Sequence, residues 1–253
     1  MPSRLPLRAP DEPLLLGATV PIVALDVPDT GAAMRIVDAL PSADFFKVGL
    51  QLYTAEGPGV VGRLKDSGKR VFLDLKLHDI PNTVAGAVRS ATALGVDILT
   101  VHALGGRAML EAAATAASAA SPRLFAVTVL TSHSAEELAR TWGRSTSSLS
   151  LADEATRLAR TAADAGLDGV VTSVHEVAAI RAATSPGFPV LTPGIRLPGD
   201  AAGDQARVAT PADAARLGVD YVVVGRSVTA AERPADAFDR LLVSLSHGAT
   251  AAS

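Results

Sequence analysis

The 253-residue sequence has no cysteine, which excludes disulfide frameworks and thiolate catalysis and removes the main ligand of the common structural zinc sites. Aromatic residues make up only 4% and charged residues 19%, and no Lys/Arg run forms a basic stripe that could track a phosphate backbone. With a formal net charge of −3, non-specific attraction to nucleic acid is not expected. No apolar run is long enough to span a membrane, since the longest, around Leu14 to Val27, is broken by Pro21 and Asp26. The segment 1–17 carries four prolines and lacks the apolar core and small-residue cleavage site of a signal peptide, so it reads as a flexible N-terminal arm. A cytoplasmic location is the default expectation.

A hydrophobic content of 48% describes a globular chain with ample material for a core. Short runs rich in Val, Ile, Leu and Phe recur with Ala-rich helical stretches between them, the alternation of βα units on a parallel sheet. There are eight: Val20 to Asp26, Asp44 to Leu50, Arg70 to Lys76, Val96 to His102, Leu124 to Leu130, Gly169 to Thr172, Pro189 to Thr192 and Val219 to Val224. Eight such units predict a single (β/α)8 barrel over residues 18–246, with a flexible tail at 247–253.

Boundary signals agree with this pattern. Ser173-Val174-His175-Glu176 is a capping box directly after the sixth run. Gly95, Gly166 and Gly218 each stand between a helical stretch and the next strand, where positive φ terminates the helix. Gly105-Gly106 marks a helix start, with little to suggest a phosphate site. Two connections exceed what the pattern needs, Thr131 to Ser150 and Pro193 to Pro211, and long loops after barrel strands usually serve function.

Alternation along the strands places Asp74 and Lys76 with Phe72 on one face of the third run, and its leucines on the other. The leucines belong against the helices, so the two charges point into the barrel near its C-terminal mouth. The same parity turns Phe45, Lys47 and Gly49 inward, together with Ala24 and Asp26. Lysine occurs only at 47, 65, 69 and 76, against nineteen arginines, so two of four lysines fall on inward faces at strand ends. A buried salt bridge that only fixes register is the bland alternative for Asp74 and Lys76. His102 shares the inward face with Thr100, and the remaining histidines show no metal-ligand spacing, so no metal site is expected. Trp142 lies in a polar loop and reads as surface packing.

The segment Asp74-Leu75-Lys76-Leu77-His78-Asp79-Ile80-Pro81-Asn82-Thr83 closely resembles the signature of orotidine 5′-phosphate decarboxylases, an Asp-x-Lys-x-x-Asp motif continued by Ile-Pro-Asn-Thr. Further segments match that family in order, among them Ala24-Leu25-Asp26, Phe46-Lys47-Val48-Gly49, Thr192-Pro193-Gly194-Ile195-Arg196, Asp204-Gln205-Ala206-Arg207 and Val224-Gly225-Arg226-Ser227. The resemblance spans roughly Val20 to Arg240.

What the resemblance implies is a cofactor-free decarboxylase that forms a homodimer with shared active sites. Lys47, Asp74, Lys76 and Asp79 would form an alternating charge array, with Asp79 supplied to the neighbouring subunit's site. Asp26 and Lys47 would meet the ribose hydroxyls, the partner's Asp79, Ile80 and Thr83 the ribose and base, and Thr131 the pyrimidine. Gly225 and Arg226 would hold the phosphate, with Arg196 and Gln205 closing over it from a mobile loop.

Three rivals remain at this level. A sugar-phosphate barrel enzyme shares the Asp-x-Lys-x-x-Asp core but uses magnesium, and the Ile-Pro-Asn-Thr continuation speaks against it. A Schiff-base aldolase needs a neutral amine, which flanking carboxylates disfavour. A non-catalytic phospho-ligand barrel would keep Gly225-Arg226 and use the charges only structurally.

Overall fold

The computed structural model describes residues 19–117, 122–197 and 207–250. Its eight parallel strands close into one barrel in sequence order: β1 (Val20–Ala24), β2 (Phe45–Gly49), β3 (Arg70–Leu77), β4 (Ile98–His102), β5 (Arg123–Val127), β6 (Gly169–Val171), β7 (Val190–Thr192) and β8 (Tyr221–Val224). All eight runs read from the sequence are strands, most of them shorter than expected because the ends turn into loops. β5 shows this most, ending at Val127 rather than Leu130.

Strand parity separates two apolar layers. Phe45, Phe72, Phe125 and Tyr221 fill the barrel interior with smaller side chains such as Ile22 and Ile98. The opposite strand faces, including Phe46, Val71, Leu73 and Leu99, pack against the helices. Each fully buried Leu, Ile or Phe contributes about 1.5–3 kcal/mol of hydrophobic stabilisation, so both layers support the wall that carries the charges.

The helix-ending glycines behave as their chemistry requires: Gly95, Gly166 and Gly218 have φ of 69°, 83° and 69°. The Ser173–Glu176 capping box is present, opening a short 3₁₀ turn, and the helix after it spans Val177–Ala183. A helix also begins at Gly106. The long connection after β5 is not irregular, since a capping box between Ser134 and Glu137 opens the helix Ala135–Thr141 within it, and Trp142 packs partly buried against the core.

The C-terminus corrects an expectation. The last helix runs from Pro234 to Thr250, so residues 247–250, read as flexible tail, are helical. Its inner positions Ala237, Phe238, Leu241 and Leu245 are buried, an i, i+4 stripe that holds the helix to the barrel. The N-terminal arm and residues 251–253 lie outside the described residues, and no helix among the described residues is long and apolar enough to cross a membrane.

Candidate active site

The charged side chains stand on the C-terminal ends of β1 to β3. Lys47 Nζ donates to Asp26 Oδ1 at 2.8 Å and lies 3.8 Å from Asp74 Oδ2. Lys76 Nζ lies 2.9 Å from both Asp74 oxygens. The result is a continuous run, Asp26–Lys47–Asp74–Lys76, with the middle pair only 11% and 13% exposed. Gly49 keeps room for it, because a Cβ there would fall 2.9 Å from Lys47 Nζ.

Inward placement of Lys76 does not come from regular alternation. β3 and β4 are in register at Leu73 opposite Leu99, and their next pair is Leu77 opposite Val101, so four steps on one strand match two on the other. Within this bulge Lys76 has φ 48°, the only positive φ of a non-glycine among the described residues. Such a conformation costs about 1–3 kcal/mol and persists where the surroundings over-determine it. Thr100 supplies the hold: its Oγ1 accepts from the Lys76 backbone N–H and donates to Asp74 Oδ1, both at 2.9 Å. Leu75 and Leu77 still pack on the helical layer, as parity required.

Burial alone would raise the Asp74 carboxyl pKa, yet the charges of Lys76 and Lys47, with hydrogen bonds from Lys76 and Thr100, hold it below the ordinary carboxylate range. His102 is pushed down to about 4 by burial and by the charges of His78, Lys76 and His133. It stacks on His78 with ring centroids 5.3 Å apart, and its Nδ1 accepts from the Leu104 amide. Its imidazole is therefore biased towards the neutral form.

These charges face a cavity of about 510 Å³ at the mouth, a size suited to a small ligand. Asp26, Lys47, Asp74 and Lys76 line it together with Thr131, Arg196, Gly225 and Arg226. Residues from loops far apart in sequence thus converge on one space, with apolar Phe72, Val127 and Leu191 forming its floor. Among the described residues no three His, Asp or Glu side chains converge as metal ligands would.

Three predicted site residues among the described ones do not line this cavity. Asp79, Ile80 and Thr83 are exposed, Ile80 at 67%, and Asp79 and Ile80 border a separate shallow depression with Leu104. Asp79 Oδ1 accepts only the adjacent Ile80 amide among its described contacts, at 2.6 Å. Gln205 lies outside the described residues. Sequence reasoning missed Thr100 as the residue that holds Asp74 and the Lys76 backbone together; its inward parity was the available signal.

Residues 19–241 match the model of the orotidine 5′-phosphate decarboxylase / HUMPS family. The chain belongs to this family. It is 51% identical over 221 residues to the orotidine 5′-phosphate decarboxylase of Moorella thermoacetica, covering 84% of this chain and 86% of that one. The Streptococcus suis orotidine 5′-phosphate decarboxylase is 49% identical over 218 residues, covering 85% and 93%. Among solved structures, the Lactobacillus acidophilus orotidine 5′-phosphate decarboxylase superposes with a TM-score of 0.77 at 36% identity, covering 90% of this chain and 99% of that one.

Proposed function

We propose that this protein decarboxylates orotidine 5′-phosphate to uridine 5′-phosphate in pyrimidine biosynthesis, without a cofactor. The observation that carries the proposal is the Lys76 ammonium, held by both oxygens of Asp74 at the edge of a cavity that Arg226 and Arg196 also line. Relatives near 50% identity bear the decarboxylase name, and the Ile80-Pro81-Asn82-Thr83 continuation speaks against the sugar-phosphate branch.

Breaking the bond between C6 and the carboxylate releases CO2 and leaves an electron pair in an sp² orbital perpendicular to the ring π system. Delocalisation cannot absorb it, so the site must stabilise it electrostatically. Lys76 supplies a fixed positive charge where that pair develops, then donates a proton to C6. At an effective dielectric near 20, two unit charges about 4 Å apart interact by roughly 4 kcal/mol. Enzymes lower barriers by about 8–23 kcal/mol, so Lys76 accounts for part. Binding of the remote phosphate by Arg226, Gly225, Arg196 and Gln205, and of the ribose by Asp26 and Lys47, supplies the remainder through orientation and exclusion of water.

The active unit is a homodimer in this proposal. Asp79, Ile80 and Thr83 face away from their own chain's cavity, and a second copy seated there brings Asp79 beside Lys76 and Ile80 and Thr83 beside the ribose and base. A cytoplasmic location follows from the substrate, a charged nucleotide that does not cross a bilayer freely.

Purified protein incubated with orotidine 5′-phosphate and excess chelator tests the activity: uridine 5′-phosphate forms at the undiminished rate. No product, or activity that requires added magnesium, would overturn it in favour of a binding protein or a sugar-phosphate enzyme. Sharing is tested by mixing Lys76→Ala and Asp79→Ala proteins, each nearly inactive. Random exchange gives hybrids in half of the dimers, each with one intact site, so roughly a quarter of wild-type activity returns. No recovery despite verified exchange contradicts sharing.

A further inference from the structure

An ion pair behind the cavity wall has no part in the chemistry above. Glu176 closes the 3₁₀ turn Val174–Glu176 after β6, and its side chain is 4% exposed against 13% for its partner Arg207. Glu176 Oε1 pairs with the Arg207 guanidinium, while Oε2 accepts the Ser173 amide at 2.8 Å and the Thr172 hydroxyl at 3.0 Å. Arg207 also donates from Nη2 to the Leu130 carbonyl at 3.2 Å. Its buried Nε meets no acceptor among the described residues, so Glu176 and Leu130 set the guanidinium's position there.

The two ends of this network reach different loops that line the cavity. Leu130 and Thr172 are wall residues, and the Leu130 carbonyl leads directly into Thr131. From Arg207 the chain continues to Ala209, which bridges Ile195 and whose carbonyl accepts the Arg196 amide at 3.0 Å. One guanidinium therefore ties together the loops that follow β5, β6 and β7. A pair serving only stability gains little from burial, because desolvation offsets most of the attraction. Its position, cross-linking three loops around the site, gives it a geometric use.

We propose that Arg207, held by Glu176, is a positioning residue that fixes the separation between Thr131 on the base side and Arg196 on the phosphate side. This rests on the nucleotide reading of the cavity. A ligand that engages both sides feels that separation, and a ligand that engages only the base side does not.

The test compares uridine 5′-phosphate with uridine as ligands for the wild type and for Glu176→Gln/Arg207→Met, which removes both charges without leaving either buried alone. The expected result is at least a tenfold loss of affinity for uridine 5′-phosphate, with uridine unchanged within twofold and kcat/KM for orotidine 5′-phosphate falling in parallel. Arg207→Lys keeps the charge but cannot make both contacts, so it shows an intermediate loss and carries the same comparison if the double variant does not fold. Equal weakening of both ligands, or a lowered melting temperature with both affinities intact, overturns the proposal. A wild type that neither binds uridine 5′-phosphate nor turns over orotidine 5′-phosphate instead removes the functional reading, before any variant is compared.

Discussion

The two ends of the barrel use carboxylates in opposite ways. At the floor, Asp97 accepts the Val71 amide, Asp168 the Leu124 amide and Asp220 the Val190 amide, at 2.7, 2.7 and 2.8 Å. Each stands two residues after a helix-ending glycine and ties its own strand to the neighbour that precedes it, and Asp97 and Asp220 also pair with Lys65 and Arg181. At the mouth, Asp26 and Asp74 face lysine ammonium groups rather than strand amides, and those lysines border open space. A carboxylate held by backbone donors stabilises a fold. One held by lysine ammonium groups at a cavity positions charge for a ligand.

Exchanging the two situations by mutation separates them. Asp74→Ala leaves Lys47 and Lys76 without their common partner, so kcat falls roughly a thousandfold, the scale of losing a preorganised electrostatic group. Steady-state kinetics measure it, and an active Asp74→Ala would erase the distinction. Asp220→Ala removes an acceptor shared by Val190 N–H and Arg181, lowering stability by about 2–3 kcal/mol with kcat unchanged. For a chain of this length, that is a melting temperature roughly 5–10 °C lower.

Acid titration gives the smallest effect. His102 has a folded pKa depressed to about 4 from 6.5, so the unfolded chain takes up its proton first. Its contribution to stability is complete above pH 6.5 and is lost as pH falls from 6.5 towards 4. The depressed carboxyl of Asp74 acts in the same direction in a lower window, below its ordinary 3.8. His102→Gln should flatten the upper part of the melting temperature profile and leave the lower part. A profile unchanged between pH 6.5 and 4 would show that His102 is not held neutral.

The contrast also explains what could be read from the chain. Recurring apolar runs and punctuating glycines made the barrel legible, because parallel strands buried on both faces read as short continuous hydrophobic stretches between helices. Asp74 was legible through strand parity, and Lys76 was assigned inward by the same parity although a bulge is what places it. The bulge at Lys76 was not legible, since a positive φ on lysine has no sequence signal and is imposed by Thr100 from the next strand. The Glu176–Arg207 pair was equally hidden, because contact between residues 31 apart depends on the closed barrel. The final helix was cut short in the sequence reading at His247, where small residues weaken the helical pattern although the structure continues it to Thr250.

The most direct measurement is the turnover of orotidine 5′-phosphate by Lys76→Ala alongside its affinity for uridine 5′-phosphate. With the ammonium gone and the phosphate and ribose contacts intact, turnover should fall by at least about 10⁴-fold, roughly 5.5 kcal/mol of barrel-mouth electrostatics and proton donation, while affinity stays within a few-fold. A variant that keeps turnover within tenfold of wild type would show that the strained lysine on β3 is not the group that receives the charge at C6.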